Sequence, residues 1–411
     1  MAVALNAVVH QAVESSAGEL WELGQFLWGN PETSMKEATA HDKLSEFLER
    51  KGFQVTRRYL LDTAFRAEFC APGGIDGPTI AFLAEYDALP EIGHACGHNL
   101  VSECALGAAV AIREVMKEFK NIRGKILVLG TPGQEKFGGK EVLRQKNAFK
   151  EIDAVLLAHP AVFNCANPPL SARQEITVQF QSSVPFVDSP WEASSALDAA
   201  VTSYVNLALL RQQIKPASRI LGMLLASGGN NVTVPETSQL MYQLRAPTVG
   251  DLAVLMGRVE ACFEAAAQAT DCCLVQEKGI VYKEFVHNNA FVAAYSKHAR
   301  EMGVLFGDAD EALVVSAASS SDSGNVSQAL PCLQAAFAIA SAGANHSKTF
   351  AAAAGSREAQ APTRRAAKIL ALTALDLYTD PKLLGRVKQE FHDWKSNQQE
   401  DRKENKQPCG S

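Results

Sequence analysis

The apolar and polar positions of the first 168 residues change repeatedly between the spacing of a helix and the spacing of a strand. This pattern predicts helices at about 8–29, 36–51, 99–119 and 139–148, and strands at 53–60, 65–71, 78–86, 124–131 and 153–159. Strands that alternate with helices in this way favour a mixed, largely parallel α/β sheet that is covered by helices on both faces.

The pattern changes after Asn167-Pro168-Pro169, which interrupts the alternation. The next segment predicts strands at 176–181, 218–227, 236–245 and 272–281, and helices at 190–213 and 249–268. The resulting order, β-α-β-β-α-β, is the split βαβ or ferredoxin-like arrangement. We therefore expect a self-contained lid domain, residues 169–283, to be inserted into the first domain.

The α/β pattern resumes after the insertion. Helices are predicted at 288–302 and 357–378, and strands at 312–317 and 332–340. The catalytic domain would thus comprise residues 1–168 and 284–395. The remaining segment, 396–411, is polar and has no apolar face, so we expect a disordered tail.

The composition, 47% hydrophobic and 20% charged residues, is typical of a globular protein. A net charge of −6 leaves no basic surplus for phosphates, so nucleic acid is not an expected partner. No apolar run reaches the roughly 18 residues of a membrane helix. The N-terminal segment lacks the basic region of a signal peptide, and nine scattered cysteines indicate reduced thiols, so we expect a cytoplasmic protein.

The densest group of chemically reactive side chains lies between residues 85 and 99, where a predicted strand ends and a helix begins. In an open α/β sheet, ligands bind at this edge. Cys96 and His98 are one residue apart and could ligate one ion, while Asp87 could orient a ligating imidazole. The alternative interpretation is a pair of loop histidines beside a buried thiol.

Other predicted strands also end in candidate ligands. Glu135 follows strand 124–131, His159 closes strand 153–159, and His346 follows strand 332–340. With Cys96 and His98, they make five nitrogen, oxygen and sulfur donors. Because one tetrahedral zinc ion needs only four, the sequence predicts a site for two metal ions.

The chain resembles the M20 metallopeptidase and amidohydrolase family, from about residue 15 to 380. The motifs that carry the resemblance are AEYDALPEIGHACGHN, GTPGQE, AHPA, PWEASSALDAAV, LRAPT, SSDSGNVS and NHSKTFAAAAGSREAQ. They are most similar to the aminoacylase-like branch, which contains the peptidase M20 domain-containing protein 2 dipeptidases and amidohydrolases of N-acyl or N-aminoacyl amino acids. The resemblance implies a homodimer formed through the lid and two divalent ions, usually zinc or manganese.

The resemblance also implies roles for individual residues. The positions that match the family's metal ligands are Cys96, His98, Glu135, His159 and His346. Asp87 matches the carboxylate that orients a ligand. The positions expected to bind substrate are Phe186, Asn231 and Gly324. The implied substrate is a dipeptide, an N-acyl amino acid or a related amide.

Two departures from the family pattern affect the predicted chemistry. Where the family has two glutamates, this chain has Gln134 and Glu135. The first of those glutamates is the family's general base, and a carboxamide cannot exchange a proton near neutral pH. In the lid, Phe186 falls roughly where the family places a histidine that reaches the substrate. The alternative interpretation is an alignment slip in a variable loop. An aromatic ring of this kind cannot donate a hydrogen bond to an oxyanion.

Three functions are therefore compatible with the sequence. The first is an amidohydrolase whose normal hydrolysis is impaired by Gln134. The second is an enzyme that uses the same metals for condensation, cyclisation or amide formation in a specialised pathway. The third is a binding or regulatory homologue without catalysis. Retention of all five candidate ligands favours the first two.

Overall fold

The computed structural model describes residues 2–182, 190–227, 235–306 and 319–404. Its strands are β1 (Gln54–Arg57), β2 (Phe65–Cys70), β3 (Thr79–Ala84), β4 (Lys125–Gly130), β5 (Ala154–Ala161), β6 (Ala172–Gln181), β7 (Arg219–Ser227), β8 (Thr237–Ala246), β9 (Cys273–Lys278) and β10 (Cys332–Ala338). Its α-helices are α1 (Ala2–Ser15), α2 (Ala17–Gly29), α3 (Ala38–Arg50), α4 (His98–Glu118), α5 (Gly139–Gln145), α6 (Ala196–Leu210), α7 (Val249–Thr270), α8 (Asn289–Glu301), α9 (Ser323–Ser327), α10 (Lys348–Ala354), α11 (Gln360–Thr379) and α12 (Pro381–Glu404).

The chain divides into two compact units. The first contains the described residues of Met1–Pro168, Val286–Val314 and Asn325–Ser411, and the second contains those of Pro169–Phe285 and Val315–Gly324. The first boundary falls where Asn167-Pro168-Pro169 breaks the sequence pattern. Residues 319–324, predicted within the catalytic domain, group with the second unit instead.

The first unit is built on a six-stranded sheet in the order β1-β2-β4-β3-β5-β10. The pairings β4-β3, β3-β5 and β5-β10 are parallel, whereas β1-β2 and β2-β4 are antiparallel. The parallel strands are almost continuously apolar and buried, as expected for strands covered on both faces. This confirms the predicted mixed, largely parallel α/β sheet.

Helix α4 occupies the centre of the first unit. It is rich in small residues and buried over most of its length, and it packs against β3, α1, α2 and α11. Its small side chains allow these elements to approach closely; a Cβ atom on Gly107 of α4 would lie 3.2 Å from Leu20 Cδ1 of α2 and 3.3 Å from Ala367 Cβ of α11. The helix begins at His98, which places its N-terminus at the end of β3.

The second unit is an antiparallel sheet in the order β7-β8-β6-β9, combined with α6 and α7. Along β8, intermediate and buried positions alternate strictly, which is typical of a strand with one face in the core. The chain order and the strand order confirm the predicted ferredoxin-like arrangement.

Several local predictions differ from the structure. The helix predicted at 8–29 is two helices, α1 and α2, which are separated at Ser16. Helix α12 continues to Glu404, within the segment expected to be a disordered tail, through lysine, glutamine, glutamate and arginine, which are good helix formers. Helices α9, α10 and α12 were not predicted. The strand predicted at 312–317 lies outside the described residues.

Across the described ranges, none of the helices combines the length and the apolar character needed to cross a bilayer. The eight cysteines within those ranges are free thiols.

Candidate metal centre

Four parallel strands deliver the candidate ligands to one edge of the larger sheet. Cys96 and His98 follow β3, Glu135 follows β4, His159 lies near the end of β5, and His346 follows β10. Because the carboxyl ends of β3, β4, β5 and β10 lie on the same side, residues far apart in sequence converge there.

One group of donors consists of Cys96, His98 and His159, whose ligand atoms all lie within 4.8 Å of one another. The Cys96 Sγ to His159 Nε2 distance is 3.5 Å. The rings of His98 and His159 meet edge to face, with centroids 5.6 Å apart. This spacing allows the three side chains to bind a single ion.

A second group consists of Cys96, Glu135 and His346, whose ligand atoms also lie within 4.8 Å of one another. His346 Nε2 is 3.4 Å from Cys96 Sγ and 3.5 Å from Glu135 Oε1. Since Cys96 belongs to both groups, its sulfur could bridge two ions.

The hydrogen bonds around His98 fit a metal ligand. Its Nδ1 lies 2.8 Å from the Asp87 carbonyl oxygen and 2.9 Å from Asp87 Oδ1, so this nitrogen carries the proton and donates. Its Nε2 is buried and has no hydrogen-bond partner among the described residues. Imidazole nitrogens, a thiolate and a carboxylate are donors that zinc accepts. The residues therefore fit two divalent cations.

The donors perturb one another strongly. Burial and the Glu135 carboxylate raise the pKa of Cys96, but the imidazoles of His98, His159 and His346 outweigh them and lower it to about 6. The Cys96 thiolate in turn raises the pKa of His346 to about 10, against the opposing effect of burial. Without a metal, the Cys96 thiolate thus lies beside the protonated imidazole of His346. A bound cation would displace the imidazole proton.

Several contacts fix the loops that carry the ligands. Asp87 Oδ2 accepts hydrogen bonds from Ser34 Oγ at 2.8 Å and from the Glu135 N–H at 3.0 Å. The Asn345 amide donates to the carbonyl oxygens of Cys96 and Pro160, at 3.2 and 3.0 Å. The residue before His346 therefore joins the loops after β3 and β10 to the end of β5.

Sequence analysis did not assign a role to Glu85 or Lys140. Both side chains are completely buried, and Lys140 Nζ lies 2.6 Å from Glu85 Oε1. Burial raises the pKa of Glu85, but Lys140, His98 and His159 outweigh it, and the pKa is lowered overall. A charged residue directly after the apolar run of β3 is a signal that could have identified Glu85.

Gln134 is buried and directly precedes Glu135 in the loop after β4. The same loop is held by Glu37, whose Oε1 accepts a hydrogen bond of 2.9 Å from the Gly133 N–H. Burial, followed by the charge of Asp87, raises the pKa of Glu37 to about 7. The loop is thus anchored on both sides of Gln134.

The structure describes only one of the three predicted substrate-binding residues. Phe186 and Asn231 lie outside the described residues. Gly324 lies in the second unit, where a Cβ atom would be 1.9 Å from the Lys283 carbonyl oxygen. Close backbone packing therefore accounts for this glycine, and its role in substrate binding stays a prediction.

Two curated proteins match nearly the whole chain. This chain is 38% identical over 391 residues to the Xaa-Arg dipeptidase of Mus musculus. The match covers 93% of this chain and 90% of that protein. It is also 38% identical over 395 residues to the Xaa-Arg dipeptidase of Homo sapiens, with the same coverage of both chains. No family model matches the chain.

Solved structures have the same fold. A dinuclear metal-binding peptidase of the M20 family from Bacillus subtilis superposes with a TM-score of 0.62 at 16% identity, covering 88% of this chain and 99% of that one. An aminobenzoyl-glutamate utilization protein from Klebsiella pneumoniae superposes with a TM-score of 0.68 at 16% identity, covering 89% and 97%.

Proposed function

The chain belongs to the M20 family of metallopeptidases and amidohydrolases. We propose that it cleaves the amide bond of a dipeptide or an N-acyl amino acid, and that Gln134 limits the rate of this hydrolysis. The convergence of Cys96, His98, Glu135, His159 and His346 at one sheet edge carries this proposal. The two cations are zinc or manganese, which the mixed sulfur, nitrogen and oxygen donors accommodate.

The cations, when bound, supply Lewis acidity to the scissile carbonyl and to the attacking water. The protein's own residues hold the ligands in place. Asp87 fixes the His98 ring through Nδ1 and also accepts the Glu135 N–H, so one carboxylate positions ligands from two strands.

The amide of Gln134 limits the proton transfers of hydrolysis. An M20 hydrolase needs a group that takes a proton from the attacking water and returns it to the leaving amine. Gln134 occupies the position of that group, and a carboxamide does not titrate near neutral pH. A general base is typically worth about 10²–10⁴ in rate, so we expect slow hydrolysis.

Restoring the carboxylate tests this proposal. We expect Gln134→Glu, loaded with zinc or manganese, to raise kcat/KM by about 10²–10⁴. The substrate panel contains N-acyl amino acids and dipeptides, beginning with dipeptides that end in arginine because the curated relatives are Xaa-Arg dipeptidases. Initial rates on wild type and variant, at equal metal content, give the comparison.

Gln268→Glu is the matched control, because it adds the same charge at an exposed position of α7. The control should hydrolyse the panel at the wild-type rate. If Gln134→Glu also remains at that rate while it binds metal normally, the missing base is not what limits hydrolysis.

A second candidate is a reaction that needs no hydrolytic base, such as condensation or amide formation. The observation that favours it is Gln134 itself, since a site without a base protects an amide product from water. Incubation of the wild-type chain with paired amine and carbonyl compounds, followed by mass analysis, distinguishes the two. A new amide that accumulates only with both compounds supports this second candidate.

We further propose that the chain is a homodimer that associates through the second unit. β7 is an edge strand of the sheet that the described residues form, and it exposes Leu221, Met223, Leu224 and Leu225. Helix α6 exposes a further apolar set, namely Val201, Tyr204, Val205 and Leu209. An unpaired strand edge next to exposed apolar side chains is suited to self-association.

A further inference from the structure

Glu85 is an anionic side chain in the centre of the first unit. It follows β3 directly, and neither it nor Lys140 is exposed to solvent. Lys140 Nζ holds Glu85 Oε1 at 2.6 Å. The other oxygen, Oε2, has no hydrogen-bond partner among the described residues. A buried ion pair with one unsatisfied oxygen is costly, so this oxygen calls for a physical explanation.

Glu85 Oε2 points towards two of the candidate ligands. It lies 3.4 Å from His98 Nε2 and 3.9 Å from His159 Nε2. Ligand atoms that surround one zinc ion at about 2.1 Å are roughly 3.4 Å apart in a tetrahedral site. The distance from Glu85 Oε2 to His98 Nε2 equals this spacing, and the distance to His159 Nε2 is about 0.5 Å longer. His98 Nε2 has no hydrogen-bond partner within the described ranges.

We propose that Glu85 is a sixth metal ligand, which binds through Oε2 the cation held by Cys96, His98 and His159, while Lys140 positions its carboxylate. This inference rests on the proposed two-cation centre and deepens it. Cys96, Glu135 and His346 would hold the second cation, so each cation would have one carboxylate ligand but the two ligand sets would differ.

Two positive charges, the Lys140 ammonium and the bound cation, would compensate the negative charge of Glu85. In the metal-free protein, Lys140 provides the nearest positive charge. Lys140→Met leaves Glu85 buried without this partner, so the metal-free protein should be destabilised more than the metal-bound protein. Added zinc should consequently raise the Tm of Lys140→Met by more than it raises the Tm of the wild type.

Metal titration of the full-length Glu85→Gln variant tests the proposal directly. Zn²⁺ affinities are measured by calorimetry against a competing chelator, and the coordination is followed by the visible absorption of Co²⁺. We expect one of two cations to bind about tenfold or more weakly, the other to be unchanged, and the Co²⁺ spectrum to change. Glu103→Gln is the control, since it removes a buried glutamate of α4 that hydrogen-bonds Gln360 instead of facing the centre.

The outcomes separate this inference from the proposed function. A wild-type chain that binds no divalent cation would overturn the metal centre itself. If wild type and Glu85→Gln bind two cations with equal affinity, only the role of Glu85 is refuted, and the ion pair is structural. Weaker binding with an unchanged Co²⁺ spectrum also refutes direct ligation. If Glu85→Gln does not fold, the zinc-dependent Tm of Lys140→Met decides, and a shift equal to that of the wild type rejects the proposal.

Discussion

Glu103 is a carboxyl group enclosed by helices of the first unit. It lies on α4, where Gln360 Nε2 of α11 donates to its Oε1 at 3.3 Å and Gly24 of α2 leaves room for the side chain. Burial raises its pKa to about 8, although the hydrogen bond from Gln360 opposes the shift. The native state therefore holds the proton of this carboxyl more tightly than the unfolded chain does.

This shift predicts that stability falls as pH rises. The contribution of protonated Glu103 is fully present below the unfolded pKa near 4.5 and is lost as pH approaches 8. The loss amounts to about 1.4 kcal/mol for each pH unit between these values. Glu103→Gln keeps the shape but cannot ionise, so its urea midpoint should decrease less than that of the wild type between pH 5 and pH 8. If the urea midpoints of the wild type and of Glu103→Gln decrease by the same amount, this account is contradicted.

Among individual residues of the site, the side chains at strand ends were the most predictable from the sequence. Cys96, His98, Glu135, His159 and His346 could be recognised because each follows or closes an apolar run. The pairing of Glu85 with Lys140 could not, because it depends on the end of β3 meeting the start of α5 in space. The contribution of Asn345 depends likewise on two carbonyl groups that only the fold brings within reach.

The turn between β3 and α4 shows how an element boundary positions chemistry. Gly97 has a φ of +83°, in the left-handed region, and it connects Cys96 to His98 at the first position of α4. A Cβ atom there would lie 2.5 Å from Pro160 Cγ, next to His159. The turn needs glycine both for its backbone angle and for the close approach of β5.

We therefore expect Gly97→Ala to affect stability and metal binding together. The unfavourable backbone angle costs about 1–2 kcal/mol, and displacement of Pro160 should separate Cys96 from His159. Thermal unfolding and zinc titration measure the two effects. Gly257→Ala is the control, because this helical glycine of α7 has open space around its Cβ position and should gain up to about 1 kcal/mol. Normal zinc affinity in Gly97→Ala would show that the turn does not position the ligands.

The types of most elements were predictable because their apolar periodicity is strong. β3, β4 and β5 are short apolar runs, and β8 alternates regularly. The end of α1, the start of α2 and the extent of α12 were not predicted, for a different reason. The break between α1 and α2 at Ser16 interrupts a continuous helical pattern, and α12 extends beyond its apolar positions into a charged segment. Neither feature leaves a periodic signal.

On the scale of the whole molecule, the exposed apolar residues of the second unit are concentrated on α6 and β7. Val201, Tyr204, Val205 and Leu209 recur at spacings of three, one and four residues, which places them on one face of α6, and each is 47–61% exposed. The edge of β7 has no strand partner in the described part of its sheet. Both features fit an interface between two copies of the chain.

This arrangement predicts that charge on the outer face of α6 separates the dimer. Val205→Lys combined with Leu209→Lys places two like charges of each copy in the proposed interface, where they would be desolvated and repel each other. Light scattering after size-exclusion chromatography should give the mass of a dimer for the wild type, near twice 44.2 kDa, and of a monomer for the variant. Val254→Lys, at an exposed position of α7, should remain dimeric. A wild-type monomer at micromolar concentration, or a double variant that stays dimeric, would exclude this face as the interface.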